Sequence, residues 1–165
     1  AKRRAVDGNE RARAPGALHR LLPLSHDNDD DVAVHSIMAA CRHVADQEST
    51  RAVLDLLSRE DRAAAAACEI LARSPGLDLS ALLRATSSEG RETQRRWALA
   101  ALARRNSTEV RAHHEWRNLP NPVRDSLEDS WFAKERSWLA STSLDSRLDD
   151  LASQSLDIES GWSPI

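Results

Sequence analysis

Three copies of one short frame constrain this chain more than any other feature. The stretches ACRHVA (40–45), ACEILA (67–72) and ALAALA (98–103) share the order Ala, Cys or Leu, two variable residues, Val or Leu, Ala, at spacings of 27 and 31 residues. At about 100° per residue the two alanines, the Cys or Leu and the Val or Leu fall on one half of a helix. Small side chains there let a second helix approach closely, so the repeat predicts stacked helices. Around the first copy Ala33, Val34, Ile37, Ala40, Cys41 and Val44 follow the i, i+3, i+4, i+7 rule, with Asp31, His35, Arg42 and His43 opposite. Around the second, Ala64, Ala67, Cys68 and Leu71 form the stripe, and Arg62, Glu69 and Arg73 are expected on the wet face.

The same periodicity predicts helices over 17–25, 29–46, 49–57, 60–74, 78–86, 91–106 and 121–142. Asp30 and Asp31 offer N-terminal caps to the second, Ser49 precedes the third, Ser74-Pro75-Gly76 stops the fourth, and Asn121 with Pro122 opens the last. Connections of a few residues place sequential helices antiparallel. The segment 1–16 is charged, carries Gly8, Pro15 and Gly16, and has no apolar period, which predicts a flexible basic lead-in or linker.

The stretch DDDVAVHSIMAACRHVADQESTRAVLDLLSRED (29–61) resembles the HEAT-like repeats, including the short form of the phycobilin lyase proteins. An acidic turn leads into an Ala-rich helix, Asp46-Gln47-Glu48 makes the short connection, Val53, Leu54, Leu56 and Leu57 belong to the second helix, and Asp61 opens the next unit. The likeness extends from about Asp30 to Asn106, with 17–25 as an incomplete first unit. It implies an all-α fold, a short α-solenoid of antiparallel helix pairs in which each repeat buries its apolar face only against its neighbours. In that reading 17–142 is the repeat domain, closed by a C-terminal capping helix, and 143–165 is an acidic amphipathic tail.

Composition narrows the functional classes. With 23 Lys and Arg against 26 Asp and Glu, the chain lacks the basic excess of a general nucleic-acid binder. Charge is nonetheless polarised: 91–124 is Arg-rich and 143–165 is acidic. Cys41 and Cys68 occupy matching places in the frame and have no metal-ligand or disulfide spacing, so they read as small buried hydrophobes in a reducing, cytoplasmic compartment. No apolar run is long enough for a membrane span. His113-His114-Glu115-Trp116 is not the zinc-protease order, and the acidic run 26–31 lacks the Gly and distal Glu of a calcium loop. There is no Gly-rich phosphate loop or nucleophile elbow. Neither catalysis nor a cofactor is expected.

All five tryptophans lie between Trp97 and Trp162. On the last helix Val123, Leu127, Trp131 and Trp138 share one face, while Phe132 and Leu139 fall roughly opposite. That second strip is covered either by the protein's own tail or by a partner, since aromatic anchors dominate interface energetics. The expected role is a non-catalytic scaffold or recognition module for another protein or domain, serving within a larger protein or complex. The alternative is a nucleic-acid-binding HEAT-like domain that uses the Arg-rich 91–124 segment, with Arg96 and Arg104 on a wet face. The candidate partner-binding residues are Trp116, Phe132, Leu139, Arg96, Arg104, Arg105 and Arg111.

Overall fold

Acidic side chains start three consecutive helices, each at a turn the sequence marks. Asp29 accepts the backbone N–H groups of Asp31 and Val32 at 3.0 and 3.3 Å. Asp46 accepts that of Ser49 at 2.7 Å while the Ser49 hydroxyl accepts the Asp46 N–H at 3.1 Å, a reciprocal capping box. Asp61 accepts that of Ala63 at 3.0 Å. These bonds satisfy donors that have no partner inside their own helix. They correct two expected caps: the side chain that caps the second helix is Asp29 rather than Asp30 or Asp31, and Ser49 sits inside the third helix as the partner of Asp46.

The computed structural model describes residues 16–75, 78–106, 120–140 and 143–147, with side chains except at 106, 123, 124 and 126–128. The helices are α1 (Ala17–Leu24), α2 (Asp30–Cys41), α3 (Gln47–Leu56), α4 (Arg62–Arg73), α5 (Leu79–Glu89), α6 (Glu92–Asn106) and α7 (Asn121–Ala140), followed by a helical turn at 144–147. Among the described residues there is no strand. The fold is all-α.

Helices α2, α4 and α6 form a row in which each packs on the next; α4 and α6 carry the whole repeated frame, whereas α2 stops at Cys41, a correction to the expected helix over 29–46, and leaves 42–45 of its copy beyond the helix. Helix α1 packs on α2, α3 on α4 and α5 on α6, and α7 runs across α2 and α4. The main packing partner of α3 is thus the helix after it. Val44, Leu71 and Leu102 are buried, as are Cys41, Cys68 and Leu99 at the second position of the frame. Each buried Val or Leu contributes about 1.5–3 kcal/mol.

The frame predicts one buried stripe per helix, but α4 is buried at every position from Ala63 to Arg73. Four neighbours surround it: α2, α6, α3 and α7. Six alanines among its twelve residues are what allow so many helices to approach. Glu69 and Arg73 are therefore interior, a correction to their expected place on a wet face. The joint between α5 and α6 is equally close. A Cβ at Gly90 would lie 2.7 Å from the Thr86 carbonyl oxygen, so glycine permits the two-residue connection.

Candidate functional site

The row meets α7 through a closed ring of four charged side chains. Arg73 Nε donates to Glu69 Oε2 at 3.2 Å, and its Nη2 donates to Glu135 Oε1 at 2.6 Å. Arg104 repeats the pattern, with Nε to Glu69 Oε1 at 2.5 Å and Nη2 to Glu135 Oε1 at 2.6 Å. Two residues come from α4, one from α6 and one from α7. Their exposures are 0% for Glu69, 3% for Arg73, 4% for Arg104 and 0% for Glu135, so water does not screen the ring.

Two indoles of α7 close over the guanidinium groups. Arg73 lies over Trp131 at 4.4 Å and Arg104 over Trp138 at 4.7 Å. Arg147, from the turn at 144–147, extends the stack: its Nε donates to the Trp138 carbonyl at 3.2 Å and its guanidinium faces Trp97 and Trp138 at 5.3 and 5.5 Å. The spacing Trp131, Glu135, Trp138 is i, i+4, i+7, which is why one face of α7 delivers a carboxylate between two aromatic rings.

The ring splits its two carboxyls electrostatically. Burial alone would raise Glu69, but the Arg104 charge, a hydrogen bond with Glu135 and the Arg73 charge hold it down at about 2. Burial and the Glu69 charge push Glu135 well above the usual carboxylate range, against the pull of Arg73 and Arg104. Arg104 is raised, because Glu69 and Glu135 outweigh its burial. Burial also raises the flanking thiols Cys41 and Cys68. Thiols held protonated in this way are poor nucleophiles. Among the described residues, no three His, Cys, Asp or Glu side chains gather as metal ligands would.

Three of the seven partner-binding candidates, Arg104, Arg105 and Leu139, turn inward. Arg104 belongs to the ring, a correction to its expected place on a wet face. Arg105 Nη1 donates to the carbonyls of Leu71 and Ser74 at 3.1 and 2.5 Å, and its Nε to Ser80 Oγ at 3.0 Å, so it caps the end of α4. Leu139 is buried in the core. Phe132 is half-buried, stacked on His35 of α2 at 4.7 Å and edge-on to Trp131 at 5.2 Å, with the Arg136 guanidinium over its ring at 5.9 Å. Arg136 in turn pairs with Asp31 of α2. Trp131, Trp138 and Leu139 thus find cover within the chain and Phe132 finds part of it, while the side chains of Val123 and Leu127 lie outside the described residues. Arg96 is half-buried and paired with Asp145. Trp116 and Arg111 lie outside the described residues.

Two surface depressions are lined by described residues. A cleft of about 470 Å³ is lined by Arg62, Thr93, Arg96, Trp97, Asp145 and Arg147. Its cations are engaged, Arg62 with Asp30 at 2.5 Å, Arg96 with Asp145, and Arg147 with Trp138. A groove of about 420 Å³ lies between the starts of α3 and α5, lined by the buried Val44, Thr50 and Leu79 and by the exposed Asp46, Asp78 and Leu82 at its mouth. Leu82 is 39% exposed, the large apolar side chain most open to water among the described residues. Among those residues no helix is long and apolar enough to cross a membrane.

The ring was missed in the sequence because each member looks like an ordinary helix-face charge. The available signal was a charge inside an apolar period: Glu135 between Trp131 and Trp138, and Arg104 at i+7 from Trp97 and i+3 from Ala101. No family model matches the chain, and no curated protein or solved structure matches it.

Proposed function

We propose that the chain is a non-catalytic protein-recognition module, a short HEAT-like α-solenoid whose contact surface is the groove between α3 and α5. The row of α2, α4 and α6, with α1, α3 and α5 each packed on one member, supports the solenoid reading. Helix α7 is its capping helix and occupies, in cis, a face of the row that would otherwise be open. The titratable groups of the kind a catalytic site uses are consumed in the ring that holds α7 down. Two free, buried thiols on separate helices suit a cytoplasmic, reducing compartment.

One observation carries the choice of surface: Leu82, exposed, beside an apolar groove with carboxylates at its rim. Asp46 is held below the usual carboxylate range by its hydrogen bonds with Ser49, so that rim stays negative. Asp78 accepts no capping bond from α5 and leaves its carboxylate to the groove. The fitting partner is a peptide segment with an apolar anchor flanked by basic side chains. Nucleic acid fits poorly, since Arg104 and Arg105 point inward and the groove is acidic.

The test is chemical-shift mapping of the labelled protein with short Leu-centred peptides flanked by Arg, by Glu, or by Ser, and with a generic DNA duplex. The Arg-flanked peptide is expected to shift the amides at 46–50 and 78–82, and Leu82→Lys to abolish the effect. Shifts only with the acidic peptide, or a salt-sensitive response to the duplex, would overturn the reading.

A further inference from the structure

Count the donors on the ring's carboxylate oxygens. Glu69 Oε1 accepts from Arg104 and Glu69 Oε2 from Arg73, while Glu135 Oε1 accepts from both guanidiniums. Glu135 Oε2 is buried and has no donor among the described residues. An ionised oxygen in that position loses its hydration and gains nothing, whereas a protonated one becomes a donor. The neighbouring acceptor is the Glu69 carboxylate, bonded to the same two guanidiniums as Glu135.

We propose that Glu69 and Glu135 hold one proton between them at neutral pH, carried on Glu135 Oε2 and donated to Glu69, and that this proton is part of the latch fixing α7 to α4 and α6. The ring then has two guanidiniums and one carboxylate, a net charge of +1. The faces of Trp131 and Trp138 lie where they offset that surplus, one over each arginine. The groups facing the pair from each neighbouring element are Cys41 on α2, Cys68 and Arg73 on α4, Arg104 on α6 and Arg147 on the turn. Both thiols are raised by burial and stay neutral, so they do not compete for the proton.

The sign of the pH effect follows. A carboxyl raised by folding stabilises fully below its unfolded value of about 4.3 and loses that contribution as pH climbs through its folded value. Above that range two buried carboxylates face one another and repel. The latch therefore loosens with rising pH, and α7, which supplies Glu135 and both indoles, is the element it frees.

Glu135→Gln tests this directly, because an amide reproduces the protonated form: its oxygen accepts from both arginines and its nitrogen donates to Glu69. The expected result is a Tm at neutral pH within about 3 °C of the parent and a flatter Tm between pH 5 and 8. Glu69→Gln removes the one carboxylate that the arginines need and is expected to lower Tm by about 10 °C or more. Should Glu69→Gln fail to fold, infrared spectroscopy of the unaltered protein decides the matter. A protonated-carboxyl stretch at neutral pH, absent in Glu135→Gln, supports the shared proton. No such band, with Glu135→Gln as damaging as Glu69→Gln, would show that both carboxyls are ionised and overturn the proposal.

Discussion

Arg104 and Arg62 show how little a residue's type says about its energetic role. Both are arginines on helices of the row, and both make ion pairs. Arg104 is sealed beneath Trp138, whereas the side chain of Arg62 is still 28% exposed. Replacing Arg104 with Ala strips a buried hydrogen bond from Glu69 and another from Glu135 and removes the charge nearest Glu69 Oε1, and should cost about 3–5 kcal/mol. Arg62→Ala, a part-exposed pair with Asp30, should cost about 1 kcal/mol or less. Urea midpoints of the two variants measure the contrast, and similar midpoints would refute the distinction. Acid has its own signature. Glu69 is depressed from an ordinary value of 4.5 to about 2, so its stabilisation is present above about 4.5 and fades as pH falls towards 2. A titration of stability from pH 5 to pH 2 should show that decline, and Glu69→Gln should remove it.

At the scale of elements, what the sequence announces clearly is what local chemistry decides. Helix α1 is legible from 17–25, α6 from 91–106 and α7 from Asn121, because caps, breakers and periodicity act within a few residues. The inward frame at 67–72 and 98–103 is legible for the same reason, whereas at 40–45 the helix stops at Cys41 and Ala45 is exposed, leaving Ala40, Cys41 and Val44 as the inward positions. The all-round burial of α4 is not, since it depends on α7, which returns from more than 45 residues later in the chain. The ring shares that origin: Arg73 and Glu135 are 62 residues apart, and no local period relates them. The period sets Phe132 and Leu139 on a strip that needs cover, and the structure packs Leu139 in the core and Phe132 on His35. Leu139→Ala should therefore cost about 2–5 kcal/mol, as a core truncation does. Its thermal midpoint is the readout, and an unchanged midpoint would return Leu139 to the surface. Removing the capping box is a smaller change: Asp46→Ala should cost about 1 kcal/mol, measured by urea unfolding.

Across the whole molecule, the alanine-rich row and the charged latch act together. Small residues bring α2, α4 and α6 close, and the ring then attaches α7 to α4 and α6 by bonds that reach across helices rather than along them. A ring of this kind specifies where α7 sits more than it adds stability. Replacing all four members of such a ring with well-packed apolar side chains of similar volume is often neutral or stabilising, whereas removing one is not. Held in this way, α7 belongs to the same cooperative unit as the row. Native-state hydrogen exchange tests it most directly. The amides of residues 131–139 should exchange with the same opening free energy as those of residues 64–72, and Arg104→Ala should lower the two together. Residues 131–139 exchanging far faster than α4 in the unaltered protein would contradict it, because the latch would then hold nothing.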